Sequence, residues 1–276
     1  MSDRKIKVAC IQMRSGEDVG ENIRAASDLI RAAHKGGARF IATPENTTLM
    51  AADAGAKLEK SFAEKDDPAV PAFAALAKEL GIWLLAGSLA IKVGGSKTAN
   101  RSYLFGPDGR VEARYDKIHL FDVDLPSGES YRESKTVASG AEAVTVSLPW
   151  ARLGLTVCYD VRFPQLYRTL AKAGAEIFTV PSAFTETTGK AHWHVLLRSR
   201  AVENGCFVIA PAQGGNHANG RKTYGHSLIV GPWGDILAEG GIDPGVVAAE
   251  LDLAEIGLAR SRLPALHHDR PFSAPV

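Results

Sequence analysis

The stretch "LGLTVCYDVRFPQLYRTLAKAGAEI", residues 153–177, decides how the chain is read. Its opening "LGLTV" is apolar and short, as a buried strand is. From Phe163, "FPQLYRTLAKAG" has helical spacing, with Pro164 in the first turn and Gly174 as a stop. Cys158 therefore stands at a strand-to-helix connection, beside a helix N-terminus. Positive helix ends and nearby cations lower a thiol's pKa and raise the thiolate fraction available for attack, so the position suits a nucleophile. A buried structural cysteine is the ordinary alternative.

The same alternation extends outward. "IKVACIQM" (6–13) reads as a strand, and "VGENIRAASDLIRAAHKGG" (19–37) as a helix with Ile23, Ala26, Ile30 and Ala33 on one face. "ARFIATPEN" (38–46) is a strand running into a turn, "AVPAFAALAKELG" (69–81) a helix closed by glycine, and "IWLLAGSLAIKV" (82–93) a further strand. Gly106-Pro107-Asp108-Gly109 and Gly231-Pro232-Trp233-Gly234 each join two extended runs, as hairpin turns do. Strand, helix, strand and hairpin thus occur twice, which predicts an α/β fold of two back-to-back sheets, each covered by helices, in one domain over 1–276. The segment 262–276, "RLPALHHDRPFSAPV", is expected to be irregular.

Composition narrows the partners. The 276 residues carry 32 Lys and Arg against 31 Asp and Glu, a formal charge of +1, so no global field draws in nucleic acid or an anionic membrane. No run approaches the roughly 18 apolar residues of a membrane span, and "MSDRKIKVACIQM" lacks a signal-peptide core, so a cytoplasmic protein is expected. The three cysteines, Cys10, Cys158 and Cys206, are too few and scattered for a disulfide framework, and Cys10 and Cys206 lie in apolar strands.

Two more ionisable residues follow apolar strands: Glu45 in "RFIATPEN" and Lys117 in "EARYDKIHLFD". Either alone reads as a surface or first-turn residue. Together, "TPEN" (43–46), "YDKIHLFD" (115–122) and "CYDVRFP" (158–164) resemble, in that order, the motifs of the nitrilase or carbon–nitrogen hydrolase superfamily. "YGHSLIVGPWG" and "LPALHHDRP" extend the resemblance over nearly the whole chain. It implies a four-layer αββα sandwich and a homodimer joined through the helices after Cys158 and the C-terminal segment. It also implies a Glu45, Lys117, Cys158 triad, with Glu133 of "YRES" as a second acid and the Tyr159 backbone N–H beside Lys117 as oxyanion donors. The implied reaction is hydrolysis of a linear amide through a thioester, without metal or organic cofactor. The branch it resembles most cleaves deaminated glutathione; the alternatives are the branch acting on 2-oxoglutaramate and a catalytically silent scaffold.

Arg162 is a candidate for holding a substrate carboxylate, with a salt bridge to Asp160 as the competing role. Trp193 is a packing aromatic or a residue near the pocket mouth. His192 and His194 have metal-like spacing, but their segment reads as helical, where residues two apart face different ways, so no metal site is expected. His194 stands where both related branches carry Glu. The polar loop "GGNHANGRK" (214–222), with Arg221 and Lys222, is a candidate specificity element.

Overall fold

The computed structural model describes residues 5–126 and 128–273. Strand Lys5–Gln12 shows how its layers arise: Val8 and Cys10 join one buried cluster, Ala9 and Ile11 another. A strand buried on both faces belongs at the centre of layered structure. It pairs parallel with Phe40–Ala42, which pairs parallel with Trp83–Gly94; Gly245–Asp252 closes one edge antiparallel, and the hairpin strands Lys97–Phe105 and Val111–Asp116 continue the other.

The second sheet repeats the pattern. Its path runs Val144–Ser147, Arg152–Leu155, Ile177–Thr179, Phe207–Ala210, Leu228–Val230, Ile236–Glu239, with the same succession of antiparallel, two parallel and two antiparallel pairings. The twofold echo in the sequence is thus an echo in topology. Leu153, Leu155 and Ile177 share a cluster with Val8, Cys10, Phe40, Ala42 and Leu85 across the gap between the sheets.

Helices cover both outer faces. Val19–Lys35 and Ala69–Leu80 bury Ala26, Ile30, Phe73 and Leu76 on the first sheet. The first is capped by Asp18, whose side chain accepts the Glu21 N–H, and the second ends on Gly81 at φ 62°, a left-handed residue that glycine adopts without strain. Pro164–Lys172 and Glu186–Asn204 bury Leu166, Tyr167, Trp193 and Leu197 on the second. The αββα order matches the expectation.

Several details depart from the sequence reading. The run around "TYGHSLIV" is not one strand: Lys222–Tyr224 pairs with Gly214–Asn216 in a separate ribbon, and the chain breaks at Gly225 and His226, which both take positive φ. Helices Ala54–Lys60 and Ala254–Arg262 carry little or no buried side-chain signal, only Ile256 and Ala259 in the latter, and periodicity does not reveal them. The segment after Arg262 has one short turn, Ala265–His267, and otherwise no regular structure up to residue 273; residues 274–276 lie outside the described residues.

Candidate active site

Glu45 sits in a turn just past strand Phe40–Ala42, held against an irregularity in strand Trp83–Gly94. Thr43 N–H donates to the Leu85 carbonyl at 2.9 Å, Gly87 N–H to Thr43 Oγ1 at 2.9 Å, and Asn46 N–H to Ser88 Oγ at 3.0 Å. The approach is close enough that a Cβ on Gly87 would stand 1.9 Å from the Thr43 carbonyl oxygen, so only glycine fits. Gln213 Nε2 donates to the Glu45 carbonyl at 3.1 Å from the other sheet.

Lys117 follows strand Val111–Asp116 and is 2% exposed. Its Nζ lies 2.9 Å from Glu45 Oε1 and 2.9 Å from Glu133 Oε2. Asn100 completes this cluster, donating from one Nδ2 to Glu45 Oε1 at 2.9 Å and to Glu133 Oε1 at 3.3 Å. Ala183 N–H donates to the remaining oxygen, Glu45 Oε2, at 2.9 Å, and Phe121 N–H adds a second bond to Glu133 Oε2 at 2.7 Å.

Cys158 opens the single turn Cys158–Arg162 with φ 50°, a left-handed conformation that a residue with a Cβ adopts at some cost. Its N–H donates to the Pro181 carbonyl at 2.9 Å, and its thiol lines the same cavity as the Glu45 carboxylate, near enough to feel its charge. The turn is clamped by Asp160, which is fully buried. Asp160 Oδ2 accepts the Val157 N–H at 2.8 Å and the Tyr115 hydroxyl at 2.7 Å; Oδ1 accepts the His119 N–H at 3.0 Å and pairs with His119 Nδ1 at 2.7 Å. One carboxylate thereby fastens the Cys158 turn to the segment that bears Lys117.

This corrects the role suggested for Asp160 as a partner of Arg162. The Arg162 guanidinium instead faces His192 Nδ1 at 3.3 Å and lies over the Tyr159 and Phe184 rings. Arg162 does line the cavity; Trp193 is not among its described lining residues. Trp193 is 1% exposed, donates its indole N–H to the His226 carbonyl and backs Phe184, which forms part of the wall.

The electrostatics corrects a second expectation. Burial pushes the Cys158 thiol up, and the Glu45 charge pushes it further, outweighing Lys117. Both effects favour the neutral thiol over the thiolate. Burial would also raise Glu45, but the charge of Lys117, the thiol and the other donors hold it down at about 2. Burial would lower Lys117, but Glu133 and Glu45 raise it well above an ordinary lysine. The site is therefore a carboxylate–ammonium pair beside a thiol that burial keeps weakly acidic.

Glu45, Lys117, Glu133, Cys158, Tyr159 and Arg162 share one cavity of about 480 Å³. The other thiols are elsewhere: Cys10 is buried between the sheets, and Cys206 is raised to about 12 by burial. His192 and His194 diverge, as their helical spacing requires. Among the described residues one group has metal-ligand geometry, His194, His226 and Glu239, with donor atoms within 4.8 Å of one another, and it lies outside this cavity. Asn100 escaped the sequence reading, and Asp160 entered it only as a partner of Arg162; no local pattern marks a strand asparagine or reveals the distant partners of a turn aspartate.

Comparison with known proteins places the whole chain in one family. Residues 7–261 match the model of the carbon–nitrogen hydrolase family. The chain is 43% identical over 265 residues to a deaminated glutathione amidase of Synechocystis, covering 94% of this chain and 96% of that one. It is 36% identical to the human omega-amidase NIT2, covering 96% and 95%. The crystal structure of the C. elegans NitFhit protein superposes with a TM-score of 0.91 at 35% identity, covering 98% of this chain and 66% of that chain. With its sandwich, its buried Glu-Lys-Cys cluster and these relatives, the chain belongs to the carbon–nitrogen hydrolase family.

Proposed function

We propose that the enzyme is an amidase that cleaves deaminated glutathione, releasing 2-oxoglutarate and cysteinylglycine through a thioester on Cys158. The observation that carries the chemistry is one cavity lined by the Cys158 thiol and by the Glu45 carboxylate, which itself contacts the Lys117 ammonium at 2.9 Å. Burial and the Glu45 charge raise the Cys158 thiol while Lys117 holds the Glu45 carboxyl down; both disfavour a resting thiolate, so proton transfer accompanies bond formation. As sulfur attacks the amide carbon, the carbonyl electrons move to oxygen, and Lys117 with the Tyr159 N–H stabilises that new charge. Drawn towards the oxyanion, Lys117 stabilises the Glu45 carboxylate less, and Glu45 becomes basic enough to take the thiol proton.

Collapse of the tetrahedral intermediate breaks the C–N bond, and Glu45 returns the proton to the departing nitrogen. Water then attacks the thioester while Glu45 takes its proton; the second collapse releases the acid and restores the thiol. Glu133, bound to Lys117 through two contacts, holds the ammonium in place. These steps transfer protons and an acyl group only, so they call for neither metal nor organic cofactor.

Arg162 supplies the recognition of a carboxylate-bearing acyl group, because it belongs to the turn that carries Cys158 and has no carboxylate partner of its own among the described residues. The second reading, cleavage of 2-oxoglutaramate, is favoured by the similarity to the human omega-amidase. Further parts of the reading are a single domain over 1–276, a cytoplasmic location and a homodimer. The dimer is supported by the exposed Val195 and Val202 on helix Glu186–Asn204 and by Leu258 and Leu263 near the C-terminal segment. No described helix is long and apolar enough to cross a membrane.

Steady-state hydrolysis of the two amides tests the substrate. Higher kcat/KM on deaminated glutathione is expected; a preference for 2-oxoglutaramate would transfer the assignment to the second reading.

A further inference from the structure

The charges around the cavity do not cancel. Its wall includes the cations Lys57, Lys117, Arg132, Arg162 and Arg221 and the carboxylates Glu45, Asp53 and Glu133. Lys117 is taken up by Glu45 and Glu133, and Arg132 by Asp124. Asp53 caps helix Ala54–Lys60 by accepting the Ala56 N–H. Among the described residues no carboxylate forms a salt bridge with Lys57, Arg162 or Arg221.

Lys57 and Arg221 belong together. Both line the cavity wall, and burial lowers the Lys57 pKa, with the charges of Lys117 and Arg221 adding to it against the opposing pull of Glu133 and Glu45. The Lys57 ammonium has no hydrogen bond among the described residues. Arg221 donates from Nη2 to the Ala183 carbonyl at 3.2 Å and stacks over Tyr131, but its Nε is buried without a partner. Two cations with unused donors lining one cavity suit an anionic ligand.

The residues around Arg221 hold it in place. His217 N–H donates to the Arg221 carbonyl at 2.8 Å, and Arg221 N–H to Asn219 Oδ1 at 3.1 Å. Asn219 Nδ2 donates to the Met50 carbonyl at 2.9 Å, tying this hairpin to the segment that leads into the Lys57 helix. The hairpin also packs flush against helix Glu186–Asn204: a Cβ on Gly189 would lie 2.2 Å from the Tyr224 ring. The guanidinium therefore needs little ordering when a ligand binds.

We infer that Lys57 and Arg221 form a subsite for a carboxylate on the leaving amine, so that the preferred substrates are amides negatively charged on both sides of the scissile bond. This rests on the amidase reading above. The acyl group stays bonded to Cys158 after the first step and is served by Arg162 on the same turn; the amine must leave, and its charge is met by residues carried on the flanking helix and hairpin. An amide that releases ammonia brings nothing to this second station and would leave much of a 480 Å³ cavity unfilled.

The test compares 2-oxoglutaryl-cysteinylglycine with its C-terminal carboxamide, identical but for that one charge, on the wild type, Lys57→Met and Arg221→Met. The wild type is expected to favour the acid in kcat/KM by on the order of tenfold to a hundredfold, chiefly through KM. Each substitution is expected to shrink that ratio, and the pair together to bring it near one. A wild-type ratio near one would overturn the subsite while leaving the amidase reading intact, and it needs no variant to fold. Variants that melt like the wild type and keep the full preference would overturn it as well. Hydrolysis of neither compound by the wild type would remove the proposed substrate and the subsite together.

Discussion

Replacing Asp160 by asparagine tests whether the nucleophile turn is held from a distance. The carboxylate accepts backbone N–H groups on both oxygens, from Val157 on one and His119 on the other. The Tyr115 hydroxyl can rotate to accept, and the His119 ring can change tautomer, but a backbone N–H cannot. Whichever way the amide is turned, its NH2 group meets one N–H head-on. One buried hydrogen bond to a charged acceptor is lost and one donor is left unpaired, a cost of about 2–4 kcal/mol. For a chain of this length that lowers Tm by about 3–7 °C. Because the same bonds fix the left-handed Cys158 and join its turn to the segment with Lys117, kcat is expected to fall more than KM rises. Scanning calorimetry and steady-state kinetics read both effects. Unchanged Tm and kcat in Asp160→Asn would refute the clamp.

Glu45→Gln separates thiol reactivity from catalysis. Removing the carboxylate charge lowers the Cys158 pKa, so alkylation by a small electrophile at pH 8 accelerates while amide turnover collapses; a parallel loss of both would contradict the electrostatics. Stability carries a second signature. The Glu45 carboxyl is held down from 4.5 to about 2, so its contribution, on the order of 3 kcal/mol, is fully present above pH 4.5 and fades as the pH falls towards 2. Unfolding free energy should therefore fall less steeply across that window in Glu45→Gln than in the wild type, by urea titration at each pH. Asn100→Leu removes a donor that lowers Glu45, so the acidic limb of the kcat/KM profile is expected to move to higher pH. Lys117→Met, lacking one oxyanion donor, should lose on the order of a hundredfold to a thousandfold in kcat, about 3–4 kcal/mol.

What the sequence made legible was local. A strand ending on Cys158, a proline-started helix after it, and glutamate and lysine at two other strand ends can all be read in short windows, and the twofold repeat of strands gave the layers. What stayed hidden depends on the stacking of the sheets. Asp160 has Arg162 two residues away as an obvious partner, yet its real partners include Tyr115 and His119, brought beside it by tertiary packing. Asn100 looks like an interior strand residue until Lys117 and Glu133 arrive on either side. Lys57 rides a helix with no buried residues, so no periodicity marks it. The thiol's electrostatics stayed hidden for the same reason: a strand-to-helix turn suggests a positive environment, while the burial that raises Cys158 most comes from the stacked layers and the carboxylate that adds to it from a turn more than a hundred residues earlier.

The most direct test is acid-quenched mass spectrometry of enzyme mixed with deaminated glutathione, with the peptide containing Cys158 mapped for an acyl adduct. A 2-oxoglutaryl mass on Cys158, released by hydroxylamine and missing in a folded Cys158→Ala protein that no longer turns over, is the expected result. Turnover that persists in Cys158→Ala would contradict the thioester mechanism at its centre.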